Sequence, residues 1–224
     1  MINYAIRAVK LTKCFQKRKI LADVTLAVAE GDIVGLVGNN GSGKSVLLKC
    51  LCGLLIPTAG EVYIRGKPLR KNSDYIADIG AMIESPGFLP HRSGYANLES
   101  LWSLNKRVPK LAIAETMLRV NLNPNDKKHV SKYSMGMKQR LGIAQALMEN
   151  PSILLLDEPF NGLDRKGITE MYTLISGLCA SGVTAIIASH NPMDISQLCS
   201  SVFEMDNGVL NQIAQGHSKG LCGF

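Results

Sequence analysis

A chain of 224 residues, 46% hydrophobic and 19% charged, can bury a real core and suits one domain or one domain with an insertion. No stretch approaches the ~18 uninterrupted apolar residues of a membrane span; the most apolar window, 47–56, is short and carries Lys49, and the first seven residues lack a signal peptide's apolar core. The excess of 25 Lys and Arg over 18 Asp and Glu (+7) is scattered in small groups such as Lys17-Arg18-Lys19, which describes a solvated basic surface rather than a nucleic-acid footprint.

Residues 5–11 and 20–28 alternate or run apolar in the manner of strands, with Phe15 between them. A third strand, Ile33-Val34-Gly35-Leu36-Val37, runs into Gly38-Asn39-Asn40-Gly41-Ser42-Gly43-Lys44-Ser45 and then a helical stretch, 46–54. Strand, glycine-rich turn and helix is the context in which G-x-x-x-x-G-K-[ST] binds phosphate. The glycines let backbone N–H groups curl around phosphate oxygens without a Cβ in the way, and the new helix aims its unpaired N–H groups at the same charge. Lys44 is placed to reach the β- and γ-phosphates, and Ser45 to offer its hydroxyl to Mg²⁺. These residues predict a nucleoside triphosphate, ATP or a relative, as ligand.

A turn at 56–60 and a short strand at 61–64 follow, then Arg65-Gly66-Lys67 and another strand over 78–83 that breaks at Glu84-Ser85-Pro86-Gly87. From there to about residue 150, apolar residues recur at helical spacing over 95–104, 111–122 and 137–148, which predicts a helical insertion. Strand–helix alternation then resumes, with buried strands at 153–156 and 183–188, helices at 166–180 and 192–199, and a strand at 202–205 turning at Asp206-Asn207-Gly208 into another. Such alternation around a phosphate loop means an α/β sandwich with a largely parallel sheet and the ligand at the strands' carboxyl ends. The six cysteines have no C-x-x-C spacing and read as small core residues.

Ile153-Leu154-Leu155-Leu156-Asp157-Glu158-Pro159 is an apolar strand ending in two acids. Emerging beside the phosphate loop, Asp157 can hold Mg²⁺, directly or through water, and Glu158 can polarise a water for attack on the γ-phosphate. Such acids also cap helices, but the phosphate loop favours the chemical role.

Together these stretches resemble the nucleotide-binding subunit of an ABC (ATP-binding cassette) transporter, over nearly the whole chain. Tyr133-Ser134-Met135-Gly136-Met137-Lys138-Gln139-Arg140 stands where that family carries its signature, Asn161-Gly162-Leu163-Asp164 at its D-loop, and His190 at its switch histidine. Phe15 matches the aromatic on which the family stacks adenine; by itself it reads equally as core. The resemblance implies a P-loop NTPase sandwich with an N-terminal antiparallel β subdomain and a helical insertion. It divides a single 1–224 cassette into an α/β core (1–83 and 151–216), a helical subdomain (84–150) and a loose tail (217–224). It also implies a head-to-tail pair, identical or not, in which the signature helix at 137–148, with Ser134 and Gly136 ahead of it, covers ATP on the other subunit, and it counts Asp164 among the nucleotide-binding residues. His190 would then donate to the γ-phosphate, although a histidine there can also be a cap. A membrane permease subunit would hold the otherwise cytoplasmic protein at the inner face of the membrane, and no nucleic acid is expected.

Two departures matter. The family's usual Leu-Ser-Gly-Gly-Gln is altered at Tyr133, Met135 and Met137, and Glu84 replaces a glutamine that touches Mg²⁺ and its water. Glu84 can ligate the metal more tightly, disfavour the anionic γ-phosphate, or stand as a loop acid pointing to solvent. With Ser-Pro-Gly-Phe after it, it is similar to the bacterial subgroup of bacitracin-resistance and lantibiotic-immunity exporters. Other functions the resemblance leaves open are a regulatory nucleotide-binding subunit of low turnover and a soluble cassette acting on ribosomes or DNA.

Overall fold

The computed structural model describes residues 3–69, 78–85 and 87–215. Pro86, the tail 217–224 and Cys222 lie outside the described residues. Two twelve-residue strands, β1 (Tyr4–Phe15) and β2 (Arg18–Ala29), form an antiparallel hairpin that brings Phe15 directly opposite Arg18. Val24, Leu26 and Val28 are buried in strict alternation, as a half-buried strand requires, whereas the buried set of β1 (Ala5, Ile6, Ala8 and Leu11) changes parity where the pairing register shifts. β4 (Ala59–Ile64) pairs with β1, and a two-residue loop with both φ positive, Arg65-Gly66, returns the chain to β5 (Lys67–Pro68). The order of this sheet is β2-β1-β4-β5.

The second sheet, in order β10-β9-β3-β8-β7-β6, is the largely parallel one. β3 (Ile33–Val37) pairs in parallel with β8 (Thr184–Ser189) and β9 (Ser201–Asp206), and β7 (Ile153–Asp157) with β8 and β6 (Ile79–Met82). Only β10 (Val209–Gln215) runs antiparallel, after the turn at Asn207-Gly208. β7 and β8 are buried at every position, which is why they read as unbroken apolar runs. Their period of two sorts the core. Ile153, Leu155, Ile186 and Ala188 join β1, β2 and Leu47, Leu48 and Leu51 of α1 (Lys44–Leu51) on one side. Leu154, Leu156, Ala185 and Ile187 join the other helices on the opposite side.

Those helices are α2 (Gly94–Asn105), α3 (Leu111–Arg119) and α4 (Met135–Leu147) between β6 and β7, then α5 (Arg165–Ala180) and α6 (Pro192–Ser196). Several bounds differ from the pattern of the sequence. α3 stops at Arg119 because Asn121 turns left-handed, φ +57°, and α6 is three residues shorter than expected. α4 begins two residues early, so Gly136 lies inside the first helical turn rather than ahead of it, and Ser134 alone is the cap. Buried Asn97 anchors the turn before α2. Its side chain accepts from Leu89 N–H at 2.7 Å and donates to the carbonyls of Leu89 and Ser93.

Candidate active site

At the carboxyl ends of β3 and β7 lies a cleft of about 370 Å³ lined by Phe15, Arg18, Ile20, Asn40, Gly41, Gly43, Lys44, Ser45, Val46, Asp157 and Glu158. Its floor is the turn from β3 into α1. Gly38 takes φ +151°, where a Cβ would fall 2.3 Å from the Met205 carbonyl oxygen, and Gly43 takes φ +118° as the residue before the helix. Only glycine fits both demands without strain. No side chain caps α1, so its first-turn N–H groups are left for an anion. Lys44, 5% exposed, folds its Nζ onto the carbonyls of Gly38 at 2.6 Å and Asn39 at 3.2 Å, and Ser42 Oγ is buried without a partner. An uncapped helix, a held lysine and an orphaned hydroxyl fit a polyphosphate.

The acids arrive from β7. Ser45 Oγ donates to Asp157 Oδ2 at 2.6 Å, placing a hydroxyl and a buried carboxylate side by side, a donor set suited to a hard cation. Glu158 is left-handed, φ +50°, and its N–H extends the strand ladder to Ala188 O at 2.8 Å. Its carboxylate accepts from His190 N–H at 2.9 Å and faces His190 Nδ1 at 2.8 Å. With Nδ1–H on Glu158, a neutral imidazole offers only a lone pair at Nε2. Donation by His190 to a phosphate therefore requires the ring to leave Glu158 or to take a second proton.

Other sequence candidates lie away from the cleft lining. Ser134 caps α4, accepting from Met137 N–H at 3.2 Å, and Asp164 caps α5, accepting from Gly167 N–H at 2.8 Å. The two segments meet, since a Cβ on Gly136 would lie 3.0 Å from Gly162 O and one on Gly162 would strike Met135. Glu84, left-handed at φ +61°, pairs its carboxylate with Lys49 Nζ at 2.5 Å. Phe15 reaches the cleft as the sequence pattern allowed, and Lys13 Nζ stands 5.0 Å from its ring centroid, over one face. Among the cysteines, burial pushes Cys50 up to about 11 and Cys179 and Cys199 up to about 12, so these remain thiols at neutral pH.

Residues 21–161 match the family described as ABC transporter. The chain belongs to the ABC transporter family. As one of its cassettes it is an ATPase, an ATP-binding subunit in which no described helix is long and apolar enough to cross a membrane. It is 40% identical to an uncharacterized ABC transporter ATP-binding protein, YybJ of Bacillus subtilis, over 92% of this chain and 94% of that protein. It shares 40% identity with the bacitracin transport ATP-binding protein BcrA of Bacillus licheniformis, over 96% of this chain and 71% of that one. With the lantibiotic transport ATP-binding protein SrtF of Streptococcus pyogenes it shares 35%, over 86% of this chain and 82% of the relative. A solved dimeric bacterial ABC transporter cassette superposes with a TM-score of 0.84 and 25% identity, covering 93% of this chain and 99% of that one.

The cassette site also uses residues that the motifs alone do not single out. Gln139 Nε2, from the second turn of α4, donates to Glu158 O at 2.7 Å and ties the helical insertion to the acid. Arg18 lines the cleft because a two-residue hairpin turn faces it across from Phe15, a pairing readable once the turn length is known. Buried Ser189 lies 3.4 Å from Glu158 Oε2, and its only signal is a polar residue ending an otherwise apolar strand.

Proposed function

We propose that this cassette powers export of a peptide antibiotic, of the bacitracin or lantibiotic kind, through a separate membrane permease that holds it at the inner face of the membrane. The substrate class is drawn from the similarity to BcrA and SrtF and from Glu84. The single observation that carries the mechanism is the convergence of Phe15, Lys44, Ser45, Asp157 and Glu158 on one cleft. Phe15 offers a ring face to adenine. The N–H groups from Gly38 to Ser45, among them those of Asn39, Asn40, Gly41, Ser42 and Gly43, cradle the phosphates, and Lys44 exchanges loop carbonyls for β- and γ-oxygens. Ser45 and Asp157 would hold Mg²⁺, which neutralises phosphate charge, while Glu84, released from Lys49, adds a carboxylate on the outer side. Glu158 takes the proton of the attacking water, and His190 leaves Glu158 to orient the γ-phosphate.

A second copy, or a paired cassette, completes the site with Ser134, Gly136 and Asp164, so that ATP joins two subunits and hydrolysis parts them. Glu158→Gln keeps the shape of the side chain and removes the base. Gel filtration with ATP and Mg²⁺ is expected to show this variant as a stable dimer with hydrolysis abolished. A variant that binds ATP yet stays monomeric, with and without permease, contradicts the clamp; one that still hydrolyses ATP at the parent rate contradicts the role of Glu158.

A further inference from the structure

Glu158 occupies a left-handed backbone conformation, φ +50°, which a non-glycine residue keeps only where its surroundings hold it there. Its N–H and C=O are fixed by Ala188 and Gln139 and its Oε1 by the main-chain N–H of His190, whereas Oε2 faces the His190 ring, the group that has to let go. Behind it lies a chain of polar contacts unused by the mechanism above. Ser189, 1% exposed, has one hydroxyl hydrogen and two carboxylate neighbours at the same distance, Glu158 Oε2 and Asp194 Oδ2, each at 3.4 Å. It accepts in turn from Asn191 N–H at 3.1 Å. One hydrogen serves one carboxylate at a time, and at 3.4 Å neither bond is closed, so a small shift of Asp194 decides which carboxylate is served.

Asp194 is itself held. Its Oδ1 accepts from Tyr172 OH at 3.2 Å, and the Tyr172 ring stands edge-on to Phe160, centroids 4.8 Å apart at 89°. Phe160 is 4% exposed and lies two residues beyond Glu158 on the same loop. The contacts therefore close on themselves, from Glu158 along the chain to Phe160, across to Tyr172, through its hydroxyl to Asp194, and through Ser189 back to Glu158. Burial, with the charge of Asp194, pushes the Tyr172 phenol up to about 12, so it stays a donor throughout the neutral range.

We propose that Tyr172, Asp194 and Ser189 brace Glu158, acting as positioning residues that keep its carboxylate aimed at the attacking water when His190 turns to the nucleotide. The proposal rests on the reading of Glu158 as the base. Asp194 draws on the Ser189 hydroxyl while His190 occupies Glu158, and yields it when His190 leaves. None of the three residues lines the cleft, so ATP binding does not depend on them.

Two conservative variants of the full chain test this. Tyr172→Phe keeps the ring against Phe160 and deletes one oxygen; Asp194→Asn keeps the size and deletes the charge. Each is expected to lower kcat about three- to tenfold with KM for ATP unchanged within about twofold. The double variant is expected to be no slower than the worse single, because both break one chain of contacts. Unchanged kcat in both singles overturns the brace. So does a KM that rises in step with the fall in kcat, or a double variant whose losses multiply. Glu158→Gln measured alongside separates the two ideas: if it leaves hydrolysis intact, the general-base reading fails, and if it abolishes hydrolysis while Tyr172→Phe and Asp194→Asn do nothing, only the brace fails.

Discussion

Two helix starts in this cassette differ in a way that separates what one chain does from what two chains do together. α1 begins at an uncapped glycine, its N–H groups free and its lysine folded onto loop carbonyls. α4 begins at Ser134, whose hydroxyl already accepts from Met137 N–H. A helix start with no side-chain partner relies on something else to meet its donors, and on the proposed function that partner in α1 is the phosphate. α4 satisfies one donor with its own side chain. On the proposed function, α1 meets the phosphates of its own chain's nucleotide, while Ser134 of α4 would exchange its own helix for a γ-phosphate that another subunit brings.

Substituting the glycine at each start should split these roles most widely. In Gly43→Ala the new Cβ sits at φ +118° and 3.1 Å from Leu21 Cδ2. Strain of about 1–3 kcal/mol opposes the conformation that holds phosphate, so the Kd for ATP is expected to rise roughly tenfold or more by fluorescent-nucleotide titration. Gly136→Ala is different. It is helical, gains about 0.5–1 kcal/mol of propensity and loses some of it against Gly162 O at 3.0 Å. The ATP affinity of a single chain should stay at the parent value. Equal losses of affinity in the two variants would abolish the distinction.

A smaller effect is expected at Ser134. Ser134→Ala removes the cap of α4 and should lower stability by about 1 kcal/mol in denaturant unfolding. Binding of ATP to the isolated chain should be unaffected, whereas ATP-dependent pairing and hydrolysis fall. A loss of stability with full hydrolysis would confine Ser134 to capping.

The α1 half was legible in the sequence because its chemistry is local. Eight consecutive residues make the phosphate loop, and an apolar strand ending in Asp157-Glu158 delivers the acids wherever the sheet places that strand. Parity along β7 and β8 likewise follows from alternation alone. The rest depends on long-range encounter: Gln139 meets Glu158 nineteen residues away, Tyr172 meets Asp194 twenty-two away, and Glu84 meets Lys49 thirty-five away. No period of 2 or 3.6 carries that information. Helical spacing alone starts α4 two residues late because Met135 and Gly136 are weak signals, and the serine cap that settles the boundary is legible only when its partner N–H is known.

The smallest effects are expected at Glu84, where sequence and structure point to different partners. The resemblance sets it beside the metal; the fold pairs it with Lys49, whose side chain is 25% exposed against 62% for Glu84. An ion pair so open to water contributes at most about 1 kcal/mol, so neither Glu84→Gln nor Lys49→Met should change unfolding stability by more. Lys49 lies four residues beyond Ser45 on α1, hence on the same helix face, one turn from the hydroxyl proposed to bind Mg²⁺. A carboxylate at that distance either stays with the lysine or swings toward the cation. If it swings, Glu84→Gln raises the Mg²⁺ concentration for half-maximal hydrolysis a few-fold and Lys49→Met lowers it, since only the second variant frees the acid. If the charge instead repels the γ-phosphate, Glu84→Gln lowers KM for ATP and leaves the Mg²⁺ titration where it was. The arrangement of Ser45, Asp157 and Lys49 favours the first result, and identical Mg²⁺ curves for parent and both variants would leave Glu84 no part in the metal site.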